Sequence, residues 1–180
     1  MTKKDLLQEV IEHIDITKVD AKALIDPMSK MSFSSRDCAR AAQIFNMMLE
    51  DKNCTTILTL AGSTSAGGCM QVYADLIKYH MVDAVVSTGA SIVDMDFFEA
   101  LGFKHYKGTP FVDDNMLREA HVDRIYDTFI DEDDLKECDR IIGAIADSLP
   151  PRPYSSREFI WHMGRFLAQG GARKPNSLVQ

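Results

Sequence analysis

Two short β-branched runs constrain this chain more than any other feature, because each empties into a small-residue loop and then a helical stretch. Both fall between Thr55 and Gly108. The run Thr55 to Leu60 enters Ala61-Gly62-Ser63-Thr64-Ser65-Ala66-Gly67-Gly68, and helix is expected over roughly 67–80. The run Ala84 to Ser87 enters Thr88-Gly89-Ala90-Ser91, and helix is expected from about Asp94 to Leu101. Strand, loop and helix in tandem is the pattern of parallel strands joined by crossover helices. Open sheets of that kind bind ligands at the carboxyl ends of their strands. The reading is an α/β fold with a nucleotide or dinucleotide site built from two consecutive loops.

The rest of the chain sets limits on that reading. Its 180 residues suggest one domain, large enough to bury a useful core. A net charge of −7 argues against a nucleic-acid binder, which needs a basic footprint. No apolar run reaches membrane-span length, and MTKKDLLQEV is too polar for a signal peptide. Cys38, Cys54, Cys69 and Cys138 are widely spaced with no CxxC pair. They read as reduced thiols of a cytoplasmic protein, with no metal site.

Outside the two loops the pattern is largely helical. Leu6, Leu7, Val10, Ile11 and Ile14 share one helical face over residues 3–14, and Pro27 closes that region. A helix is expected from Ser34 or Ser35 through Leu49, capped by one of those hydroxyls. Residues 102–114 look like a loop, and 114–121 and 131–148 look helical. The run Asp131-Glu132-Asp133-Asp134 suits the positive end of the second of these helices. Pro150, Pro151 and Pro153 force a break before a helix capped by Ser155 or Ser156. Trp161 and Phe166 form an aromatic stripe there, which reads as core. At the end, Asn176 or Ser177 is positioned to cap a helix start at Leu178 and Val179. One turn does not repay helix nucleation, so the reading favours a chain cut short over a disordered tail.

The first loop offers glycines for close backbone approach, with hydroxyls and helix-start amides for phosphate oxygens. It is neither a Walker motif nor GxGxxG, and a tight structural turn competes with the binding reading. In the second loop, Asp94 is placed to accept from ribose hydroxyls or to cap its own helix. Lys78, Lys104 and Lys107 read as solvated, and His80 and His105 as surface or helix-end residues.

Taken together, AGSTSAGG, YHMVDAVVSTGASIVDMDFFEALG and YKG, followed by VDRIYDTFID and PYSSREFIWHMG, resemble the deoxyhypusine synthase family. The likeness runs from about residue 26 to the last residue and covers the amino-terminal half of the usual family chain. MVDAVVSTGA is its most specific part. The resemblance implies a Rossmann-like parallel sheet with helices on both faces, in a homotetrameric NAD-dependent aminobutyl transferase. Such enzymes oxidise spermidine, pass the butylamine unit to an active-site lysine, and then to a lysine of translation factor 5A in hypusine biosynthesis. Related enzymes transfer to putrescine and make homospermidine. A short paralogue acting as a structural or regulatory subunit is the non-catalytic alternative.

By position, Gly62, Ser63, Thr64, Ser65 and Ala66 match the family loop that holds the NAD pyrophosphate and ribose. Thr88, Gly89 and Ala90 match the second NAD loop. Asp94 stands where a glutamate usually meets the adenosine ribose, one methylene shorter. Met95 replaces a commonly acidic residue, and Asp96 keeps the next carboxylate. The family's nucleophilic lysine, polyamine-binding acids and neighbouring histidine belong to the carboxyl half, so no residue here is assigned as catalytic.

Overall fold

The computed structural model describes residues 2–174 and 177–180. The chain divides into two compact units, one of Met1–Ile14, Leu60–Ala74 and Ser87–Gln180, the other of Asp15–Thr59 and Asp75–Val86. The architecture is mixed α/β.

In the second unit, α2 (Lys22–Met28) and α3 (Phe33–Glu50) form a helical pair. Pro27 is accommodated inside the last turn of α2 instead of closing the region before it. The helix expected to begin at Ser34 or Ser35 starts at Phe33 instead. Its cap position is Ser32, whose side chain makes no capping bond. The paired strands β1 (Ile57–Leu60) and β2 (Ala84–Ser87) form a small parallel sheet, connected through α4 (Met70–Lys78). Thr56 and Asp83 brace the strand starts: the Thr56 amide donates to Asp83 Oδ2 at 2.7 Å, and the Asp83 amide to the Thr56 carbonyl at 2.8 Å.

The first unit carries the larger core. A helical turn over Ala90–Phe97 runs into α5 (Phe98–Ala100), which buries Phe97 and Phe98 completely. Against them pack α7 (Glu132–Asp147) and α8 (Ser156–Phe166), through Cys138, Ile145 and Met163. Both starts follow the sequence chemistry. Asp131 caps α7 by accepting from the amides of Asp133 and Asp134, and Ser155 and Glu158 form a reciprocal capping box on α8.

A second sheet lies in a stretch partly read as loop. Strands β3 (His105–Lys107), β4 (Val122–Ile125) and β5 (Thr128–Asp131) are antiparallel in the order β3-β5-β4, with α6 (Asp114–Glu119) before β4. The amino-terminal segment corrects the helix expected over 3–14. Only α1 (Lys3–Leu6) is helical, and Val10 bridges Tyr106 in antiparallel fashion. The Ile11 amide donates to the His105 carbonyl at 2.9 Å, and the Lys107 amide to the Glu9 carbonyl at 2.7 Å. An open edge of β3 thus captures β-branched residues whose helical spacing looked convincing.

Candidate functional site

The two small-residue loops both belong to the first unit and meet directly. Ser91 Oγ donates to the Gly62 carbonyl at 3.1 Å, and the Thr88 amide donates to the Leu60 carbonyl at 3.3 Å. Gly62 needs its glycine: its φ of +73° lies in the left-handed region, and the space where a Cβ would point is open. Within the loop, the Ser63 and Thr64 carbonyls accept from the Gly67 and Cys69 amides, each at 3.0 Å. Thr64 Oγ1 bonds the Tyr73 hydroxyl at 2.7 Å. Ala66 is buried, and Ser65 is buried with its Oγ lacking a hydrogen-bond partner among the described residues. Gly68 closes the turn with φ +99°, where a Cβ would stand 2.9 Å from the Glu12 carbonyl oxygen. Gly89 is exposed, with free space beside it.

A cavity of about 380 Å³ opens where the loops meet, lined by Ser63, Ala90 and Asp94 together with Asp123 and Asp139. Its floor is apolar, from Met95, Ile125 and Ile130. None of the three carboxylates forms a hydrogen bond or ion pair among the described residues. Burial raises the Asp94 carboxyl above its ordinary value, and neighbouring Asp139 adds to the rise. Asp123 is raised by burial and then by Glu132. The same field acts on the adjacent thiol: burial, then Asp139 and Asp94, push Cys138 up to about 12, which makes it inert as a nucleophile. Carboxylates raised in this way gain from any cation that enters beside them. Asp123 sits in β4 and Asp139 in α7, and the sequence offered no signal for either. The conspicuous acidic run was instead used to cap and pair α7.

Asp96 and Glu99 point elsewhere. Asp96 is completely buried and accepts from Ser177 Oγ at 2.6 Å and the Leu178 and Val179 amides at 2.8 and 3.0 Å. Ser177 Oγ in turn accepts from the Val179 and Gln180 amides at 3.0 and 3.2 Å, but the helix start expected at Leu178 and Val179 does not form. Asn176, the other candidate cap, lies outside the described residues. Glu99 receives His105 Nδ1 at 2.7 Å, His13 Nε2 at 2.8 Å and Lys174 Nζ at 2.7 Å. Burial would raise Glu99, but the hydrogen bonds from His105, His13 and Lys174 outweigh it and hold the carboxyl well below the usual range. An ionised carboxylate only accepts, so His105 carries its proton on Nδ1 and His13 on Nε2. His105, expected at the surface, is therefore fully buried: a carboxylate beneath β3 supplies the partner it needs. His80, Lys78, Lys104 and Lys107 are exposed, as read.

The family model for deoxyhypusine synthase matches residues 23–180. A deoxyhypusine synthase-like protein of Coxiella burnetii is 68% identical over 178 residues, covering 99% of this chain and 51% of that protein. The protein of the same name from Caulobacter vibrioides is 66% identical, over 99% of this chain and 48% of its own length. A probable deoxyhypusine synthase 2 of Methanosarcina acetivorans is 36% identical, over 92% of this chain and 48% of its own. The chain thus spans about half the length of the curated relatives it matches.

Proposed function

The chain belongs to the deoxyhypusine synthase family, and on that premise we propose that it forms the NAD-binding domain of a transferase. The donor is spermidine, and the acceptor of the aminobutyl group is a lysine of translation factor 5A. The observation that carries this reading is the cavity where both loops face Asp94, Asp123 and Asp139. It brings Asp94, placed for a ribose hydroxyl, against Ser63 and Ala90 of the two loops, which is what a dinucleotide site requires.

The loop residues fit the cofactor. Gly62 and Gly89 leave the backbone unobstructed, and the Ser65 hydroxyl is a buried polar group in need of a partner. Ser63, Thr64, Ser65 and Ala66 with Gly62 would hold the pyrophosphate side, and Thr88, Gly89 and Ala90 the second edge. Asp94 would accept from a ribose hydroxyl. When bound, NAD supplies the acceptor for hydride from the polyamine. Asp123 and Asp139 line the same cavity as Asp94 and would draw a cationic group toward that edge of the cofactor, while the polyamine-binding acids of the family belong to the carboxyl half.

Calorimetric titration of NAD into the intact protein and into Asp94→Ala tests the cofactor site. A loss of about tenfold or more in affinity is expected for a charged hydrogen bond. Equal affinities would remove Asp94 from it. Labelled spermidine then identifies the acceptor: label on translation factor 5A supports the reading, and label on putrescine assigns homospermidine synthesis instead.

A further inference from the structure

Helix α8 presents one face to the core and a different kind of face to solvent. Phe159, Ile160, Met163 and Leu167 pack inward. Arg157, Trp161 and Arg165, spaced by four, form an exposed stripe on the other side. Trp161 is 57% exposed, which corrects its expected place in the core. The core side of α8 is already filled, and Phe166 alone of the aromatic pair turns in, against Phe97 at 6.3 Å.

The stripe is chemically unfinished. Arg165 stacks over the Trp161 ring at 4.9 Å. Neither it nor Arg157 meets a carboxylate among the described residues. The local acid, Glu158, is taken by Arg152 and by the helix cap. Beside the stripe lies a cavity of about 410 Å³, walled by Arg152, Arg157, Ile160, Trp161, His162 and Val179 together with the Arg152-paired Glu158. Tryptophan and arginine around an apolar recess are the composition of a binding hot spot. Guanidinium forks with free donors match carboxylates in pairs.

We propose that the Arg157–Trp161–Arg165 face of α8 docks an acidic polypeptide segment, with carboxylates flanking an apolar side chain that enters the cavity. Eight helical residues separate the two guanidiniums by about 12 Å along the axis. A helical segment with acids seven or eight positions apart spans the same length. A second copy using the same stripe is disfavoured, since two-fold pairing sets arginine against arginine. A polyanionic nucleic acid is disfavoured by the chain's net charge of −7, which two free guanidiniums do not offset.

Trp161 is the single tryptophan of the chain and reports on its own site. The test takes the intact protein, with the emission of Trp161→Phe subtracted, and titrates a blocked amphipathic peptide bearing glutamates at positions one and eight around a central leucine. Saturable binding with a blue shift is expected. It should weaken about tenfold in Arg157→Glu/Arg165→Glu, fall with salt, and vanish for the lysine version of the peptide. Three outcomes overturn the proposal. One is equal binding of the lysine peptide or indifference to the arginine reversals. Another is a Trp161 already shielded from iodide before any addition, covered by other parts of the protein or by a second copy. The last is binding of polyuridylate or phosphatidylserine vesicles where the acidic peptide fails. Circular dichroism of the reversal variant, whose changes lie on the solvent face, separates lost docking from lost fold.

Discussion

In the unit that contains the loops, Phe97, Phe98, Met163 and Leu167 are sealed in a common core with α7. In the unit of residues 15–59 and 75–86, α3 buries Ala39 and leaves Ile44, Met47 and Leu49 exposed. Its strands are open as well, with Ile57 and Val86 more than half exposed, although parallel strands are ordinarily covered on both faces. Most of the large apolar side chains exposed among the described residues belong to this second unit. The two regions are therefore held in different ways. Long-range packing locks the first. Helix propensity and a few isolated bonds, such as the Thr56–Asp83 brace across 27 positions, carry more of the second.

That contrast is sharpest in the response to truncation. Phe98→Ala removes a fully buried ring that also touches Phe103 and His105, with centroids 5.1 Å away in each case. It should cost about 3–5 kcal/mol in denaturant unfolding. A loss under about 1 kcal/mol would break the picture of a sealed core.

Glu99→Gln comes next. It keeps the shape and removes the charge that gathers His13, His105 and Lys174, for an expected loss of about 1.5–3 kcal/mol at neutral pH. The native Glu99 carboxyl lies below its unfolded value of 4.5, so its contribution is complete above that pH. It drains away as pH falls below 4.5 through the native value. Stability of the parent protein should thus fall more steeply on acidification than that of Glu99→Gln, and parallel pH profiles would remove Glu99 as an acid-sensitive anchor.

The smallest effect belongs to the open unit. Leu49→Ala should change stability by no more than about 0.5 kcal/mol, since its side chain is exposed and alanine favours the helix. A cost above about 2 kcal/mol in the intact protein would show that this face is covered in solution.

Much of the local structure was legible because local chemistry specifies it. Ala84–Ser87 is a strand as read, α7 begins in its acidic run, and Ser155 caps α8 with Glu158. The loop residues from Gly62 to Ala66 and from Thr88 to Ala90 were named from their small side chains and family likeness, and they lie side by side. The three antiparallel strands were harder, since each is only three or four residues long and gains its partners across the chain. The amino-terminal helix was over-read for the same reason: spacing by fours does not register a free strand edge that lies far along the chain, as Tyr106 does from Val10.

The sequence by itself determined the helix caps, the two small-residue loops and the family, because caps, β-branched runs and glycines act within a few residues. Only the tertiary structure decided which charges matter. Asp123 and Asp139 join Asp94 around one cavity, Glu99 draws in His13 from 86 positions away, and Trp161 is turned out of the core. The physical reason is that burial and desolvation are properties of what the folded chain packs around a group, and no window of sequence contains them.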